Sequence, residues 1–163
     1  MAKLKKDKYL QTLFIFCFII LITAYAIQYI FGYQPCNLCI IERIPYMLAI
    51  IILILNYKFK KDQIFYSVLL LLVFLFSIII SLYHLGIEQG LLEESNICET
   101  NNTNLITKEE ILNSLQEMRI SCKDVTFKIF DLSLTTYNMI ISVLMFLISG
   151  KIYLINDNIK KKN

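Results

Sequence analysis

The sequence predicts an all-α fold: a four-helix transmembrane bundle with a long outer loop that carries a short amphipathic helix. Three observations predict it. The chain is 57% hydrophobic over 163 residues, with a mean hydropathy of +0.61, too apolar for a soluble protein of this size. The apolar residues gather into long stretches almost free of charge, each able to supply the roughly 20 residues of a membrane-spanning helix. One extended polar segment, 86–131, breaks the series.

The first apolar stretch, Tyr9 to Ile41, holds no charged side chain and is too long for one span. Gly32 and Pro35 mark a turn inside it, which separates spans over about 9–31 and 36–57 and leaves an outer loop over 32–36. The lysines of Lys58-Phe59-Lys60-Lys61 end the second span, and a charge-free third span covers 63–83. Within the polar loop 86–131, Thr107-Lys108-Glu109-Glu110 reads as a capping box. Ile111, Leu112, Leu115 and Met118 follow at helical spacing, as in a helix lying on a membrane surface. The fourth span covers 132–150, and residues 1–163 read as a single membrane domain.

Charge sets the expected orientation. Eleven of the sixteen basic residues fall in the N-terminal segment, the 58–61 turn and the C-terminal tail. The positive-inside rule then places both termini in the cytoplasm and the loops 32–36 and 86–131 outside. The basic N-terminus followed by an apolar run reads as an uncleaved anchor, because the run is too long for a signal peptide and no small-residue cleavage site follows. The net charge of +3 gives no basic patch for nucleic acid. With no Gly-rich loop there is no phosphate cradle, and five cysteines with one histidine do not suggest a closed zinc site.

Chemistry is carried by the cysteines. Cys36 and Cys39 form a Cys-x-x-Cys at the outer end of the second span, and Cys98 and Cys122 lie in the long outer loop. All four sit on the side expected to be oxidising, where paired cysteines form disulfides. Cys98–Cys122 reads equally well as a structural bridge worth roughly 3 kcal/mol. Cys36–Cys39 closes almost no chain and contributes little stability, whereas Cys-x-x-Cys is well suited to thiol–disulfide exchange. Cys17, in mid-span, reads as a small packing residue.

Pro35 fits the first turn of a helix, which would put both thiols of the motif near free backbone N–H groups and the positive end of the dipole. Arg43 lies one turn beyond Cys39, where a guanidinium at the membrane boundary needs a task. It could stabilise a Cys39 thiolate or an anionic acceptor; alternatively it pairs with Glu42 or reaches a lipid phosphate. Pro45 removes a helical hydrogen bond, so the helix kinks there or begins there. His84 ends the third span beside Tyr83 at the depth of Cys39 and Arg43, as a candidate binding residue or a simple interfacial anchor.

The run Cys36-Asn37-Leu38-Cys39-Ile40-Ile41-Glu42-Arg43, a second cysteine pair in the other outer loop and four spans together resemble the DsbB family of disulfide-forming quinone reductases. Tyr83 to Gln89, Cys122 to Val125, Leu132-Ser133-Leu134 and Tyr137-Asn138 carry the resemblance further, over about residues 10–150. Asp131 departs from the family's Gly before Leu-Ser. The resemblance implies a bacterial inner-membrane enzyme that reoxidises a periplasmic thioredoxin-fold oxidase of the DsbA type. Cys98 would exchange with that partner, Cys122 would attack Cys36, and Cys39 would pass two electrons to a membrane quinone, ubiquinone or menaquinone, beside Arg43 and His84. A vitamin K epoxide reductase-like enzyme and a membrane protein with purely structural disulfides are the rival readings. The position of Cys-x-x-Cys on the second span, ahead of the loop pair, favours the first.

Overall fold

In the computed structural model, which describes residues 2–59, 62–93, 121–123, 128–129 and 132–162, helices dominate. Helix α1 spans Ala2–Tyr29, the short α2 Asn37–Ile41, α3 Ile44–Lys58, α4 Gln63–Glu88 and α5 Leu134–Lys162. Between α4 and α5, strands β1 (Lys128–Ile129) and β2 (Leu132–Ser133) pair antiparallel, Lys128 with Ser133 and Ile129 with Leu132. Among the described residues, four segments are long and apolar enough to cross a membrane: Lys6–Tyr29, Asn37–Lys58, Gln63–Glu88 and Leu134–Lys161. The expected amphipathic helix, Cys98 and Asp131 lie outside the described residues.

Helix boundaries differ from the sequence reading at several points. α1 begins before the apolar run, at Ala2, because the alanine, leucine and lysines there are good helix formers that extend the apolar helix backward. It ends at Tyr29, and Gly32 takes φ 74°, a left-handed conformation that opens the turn. The expected second span is two helices. Pro45 has no N–H to give to Ile41, so the ladder stops at the Glu42–Arg43 turn and α3 restarts at Ile44 with Pro45 in its first turn. Pro35 precedes the cap of α2 instead of entering its first turn.

α4 runs past Tyr83 to Glu88, so His84 belongs to the helix and the following loop starts later than expected. Its end is a Schellman turn: Gly90, at φ 72°, donates its N–H to the Ile87 carbonyl at 2.9 Å, and Leu91 donates to Gly86 at 2.9 Å. α5 passes straight through Gly150 into the polar tail, where Asp157 and Lys161 pair one turn apart.

α4 and α5 share the largest interface, with α3 against α4 and α1 against α3 and α5. The core contains Leu13, Cys17, Tyr46, Ala49, Leu53, Leu70, Phe74 and Met145. Cys17 is a buried packing residue there. Between the helices the seams are polar and small. Tyr46 Oη donates to Asn138 Oδ1 at 2.6 Å and lies 3.0 Å from Ser142 Oγ, which meets Ser77 Oγ at 2.8 Å. Asn138 Nδ2 donates to Ser81 Oγ at 2.8 Å, and Asn156 Nδ2 to Ser67 Oγ at 2.7 Å. Lipid offers no hydrophobic drive for helix association, so close contact of small residues and interhelical hydrogen bonds hold such bundles. Large apolar side chains such as Phe14, Phe18, Ile51, Phe76 and Leu147 are exposed outward, as a hydrocarbon environment allows.

Candidate functional site: a dithiol beside a buried histidine

Cys36 is the N-cap of α2, with φ −70° and ψ 168°, and its sulfur accepts the Cys39 N–H at 3.2 Å. The side chain thus replaces the oxygen that Ser or Asp would supply at a cap. A cap and the third residue after it share one face, so the two sulfurs meet at 2.7 Å. In the dithiol form, the Cys36 thiol, one residue before the second span, is lowered to about 5. Hydrogen bonding from Cys39 is the main cause; burial opposes it, and His84 lowers it further. The short α2 adds little dipole, so it is the neighbouring side chains that favour the thiolate at Cys36.

His84 reaches this pair from α4. Its Nε2 lies 3.5 Å from Cys36 Sγ and 3.9 Å from Glu88 Oε1, while Nδ1 lies 3.3 Å from Glu42 Oε1. Thr135, at the start of α5, places Oγ1 3.3 Å from Nδ1 and donates to Glu88 Oε1 at 2.6 Å. His84 is 1% exposed, which is not the setting of an interfacial anchor. Glu42, in the turn that Pro45 creates, is buried against it.

Arg43 points the other way. Its Nη1 donates to Gln28 Oε1 at 2.6 Å, and its guanidinium stands 4.9 Å from the centre of the Tyr25 ring. The expected alternative pairing of Arg43 with Glu42 does not form; Glu42 faces His84 instead. Arg43 therefore ties the turn before α3 to α1, a contact invisible in the sequence because fifteen or more residues separate the partners.

Cys122 is buried and disulfide-bonded, and it packs in one apolar cluster with Cys36, Leu38 and Ile87. Three of the four cysteines singled out in the sequence thus stand together; Cys98 lies outside the described residues. Around them opens a cavity of about 430 Å³, lined by Cys36, Cys39, Arg43, His84 and Cys122 and walled by α1 and α5. Its lining is largely apolar, and Phe16 and Ile19 on its rim are more than half exposed on the lipid-facing side of α1.

Cys36, Cys39 and His84 also bring three potential ligand atoms within 4.8 Å of one another, a grouping that composition did not suggest. Two thiolates on tetrahedral zinc, with Zn–S bonds of about 2.3 Å, would stand ~3.8 Å apart. The sulfurs at 2.7 Å are closer than that, a spacing for exchange between themselves. Glu42, Glu88, Thr135 and Gln28 were not singled out in the sequence. Glu42 lies within the recognisable motif, but its partner could not be read there.

Four spanning-length helices among the described residues, around a partly buried dithiol and a disulfide-bonded cysteine, define a multi-pass membrane protein of thiol redox chemistry. The family model for Disulfide bond formation protein DsbB matches residues 6–152, and the chain belongs to the DsbB family, membrane oxidoreductases of disulfide bond formation. It is also similar to Uncharacterized protein RP370 of Rickettsia prowazekii (strain Madrid E), 32% identical over 160 residues that cover 91% of this chain and 90% of that protein. No solved structure matches the chain.

Proposed function

We propose that this protein is a thiol:quinone oxidoreductase that reoxidises a periplasmic thioredoxin-fold oxidase of the DsbA type and passes the two electrons to ubiquinone or menaquinone. The observation that carries the reading is the cavity. It joins the dithiol and Cys122 to an apolar space rimmed by lipid-facing side chains of α1. A soluble substrate has no reason to approach from that side, whereas a lipid-dissolved quinone does. The residues fit such a group: apolar walls from α1 and α5 for the ring and tail, with His84 in the lining, and free N–H groups of the Arg43 guanidinium as donors for its oxygens.

In this reading the basic turns and tail lie in the cytoplasm of a bacterial inner-membrane protein, and both cysteine pairs face the periplasm. Cys98 is bonded to Cys122 at rest and receives the partner's thiolate. The released Cys122 attacks Cys36 Sγ: a Cys122–Cys36 bond forms, the Cys36–Cys39 bond breaks, and the electron pair goes to Cys39. Proximity supports that step, since Cys122 and Cys36 already pack together. Bound quinone supplies the two-electron oxidant. Cys39 and Cys36 present the electrons to it, and Arg43 holds the α1 wall of its cavity in place.

The test uses purified protein in lipid nanodiscs, a reduced thioredoxin-fold dithiol and a water-soluble quinone analogue. The reading requires one quinone reduced per dithiol oxidised, with turnover lost in Cys39→Ala. Oxidation of the dithiol without matching loss of quinone absorbance, or cysteines that never cycle, would reject it.

A further inference from the structure

The hydrogen bonds around His84 determine where its proton sits. Thr135 has a single hydroxyl proton, and it is committed to Glu88 Oε1 at 2.6 Å. Towards His84 Nδ1, 3.3 Å away, Thr135 Oγ1 can then only accept. As a carboxylate, Glu42 accepts likewise through Oε1, also 3.3 Å from Nδ1. Two acceptors therefore face Nδ1, which must carry the hydrogen. The other nitrogen, Nε2, is left with its lone pair turned to Cys36 Sγ at 3.5 Å. The sequence Cys36–His84–Glu42 has the order of a nucleophile, a base and a carboxylate that orients the base. All three residues are buried, so water does not compete for these contacts.

We propose that His84 is the proton acceptor for Cys36, and that Glu42, with Thr135 and Glu88, is the positioning group that aims its Nε2 at the sulfur. This goes one step beyond the quinone reading, resting only on its premise that Cys36 exchanges. In the dithiol, Cys36 S–H gives its proton to Nε2, leaving a thiolate on Cys36 and a cationic ring held against Glu42; charge is conserved and no electron moves. When a Cys36–Cys122 bond later breaks by attack of another thiolate on Cys122, the electron pair goes to Cys36. The same ring then stabilises the leaving thiolate. The titratable groups facing His84 are Cys36 and Cys39 from α2, Glu42 from the following turn and Glu88 from its own helix; α5 contributes the neutral Thr135. Arg43 is turned to α1 and takes no part.

The chain has a single histidine, so ¹⁵N labelling of histidine reads one ring without assignment. In reduced full-length protein at neutral pH, with no quinone or partner present, both ring nitrogens should be protonated. After alkylation of Cys36 the ring should become neutral with hydrogen on Nδ1. A neutral ring in both states, or hydrogen on Nε2 after alkylation, would overturn the proposal. In parallel, iodoacetamide labelling of Cys36 is followed by peptide mass spectrometry from pH 4 to 9. Glu42→Gln should move the midpoint upward by roughly 1 unit or more, Glu42→Asp should restore part of the shift, and Thr135→Val should move it less. Superimposable profiles would again overturn it. Should Glu42→Gln fail to fold, the wild-type spectra decide alone. Because these readouts need no quinone, failure of quinone reduction would leave them standing, and their failure would leave the quinone assay untouched.

Discussion

Replacing Arg43 by Met deletes a charge while keeping an unbranched apolar stem. In the structure the guanidinium makes one charge-assisted hydrogen bond to Gln28 and stands over the Tyr25 ring. Such a bond is worth about 1.5–3 kcal/mol, and a half-exposed cation–π contact about 0.5–1 kcal/mol. Both contacts run from the turn before α3 to α1, and Arg43 and Gln28 line the cavity. Their loss frees the α1 wall and also removes a donor that would face a quinone oxygen. If most of that interaction bears on quinone binding, kcat/KM for quinone falls by about 10- to 100-fold, at about 1.4 kcal/mol per tenfold. Gln28→Leu leaves the charge but removes its tether, and should raise KM by a few-fold with kcat near wild type. Arg43→Lys should be intermediate, since an ammonium keeps charge and loses the planar fork. Stopped-flow quinone reduction in nanodiscs separates these effects. Wild-type kinetics in Arg43→Met would mean that the α1 tether is irrelevant to the cavity and would refute the reasoning.

Other outcomes follow from the same geometry. Cys98→Ala should abolish exchange with the soluble dithiol while leaving Cys36 and Cys39 oxidisable by quinone; Cys39→Ala should do the reverse, and Cys17→Ala should leave turnover unchanged, all read by thiol trapping on gels. Tyr46→Phe removes one of the two interhelical partners of Asn138 and of Ser142 and should lower bundle stability by about 0.6–1.7 kcal/mol, measured by unfolding in mixed micelles, where an unchanged stability would contradict this polar seam. Gly90→Val forces a branched side chain into a left-handed φ and should cost at least about 1 kcal/mol, loosening the end of α4 that carries His84 and Glu88. With intact cells, a membrane-impermeant maleimide added from the periplasmic side after reduction should label Cys98 and Cys122; labelling only from the cytoplasmic side would reverse the orientation.

How much was legible in the sequence depended on whether a feature is local. The four spans were legible because a run of apolar residues long enough to cross lipid leaves the backbone no option but helix. The Cys-x-x-Cys was legible because a cap and its third neighbour share a face whatever surrounds them. Pro45 signalled a break, but not which kind. Covalent geometry required a missing hydrogen bond, and only packing against α4 showed that the chain uses the gap to turn Glu42 inward.

What the sequence by itself determined is therefore the class: a helical membrane protein with redox-capable thiols at one end. Tertiary structure decided the roles around them. His84 lies 48 positions from Cys36 and Thr135 lies 51 from His84, separations at which no periodicity relates one side chain to another. Whether a lone histidine anchors at an interface or faces a thiol depends on how α4 is rotated against α2 and α5, and many small interhelical contacts fix that rotation together. Arg43 shows the same limit: its spacing from Cys39 placed it on the cysteine face, yet its guanidinium went to Gln28 and Tyr25 on α1. A long side chain binds the partner that desolvation and hydrogen-bond geometry favour in three dimensions, and the linear sequence does not contain that choice.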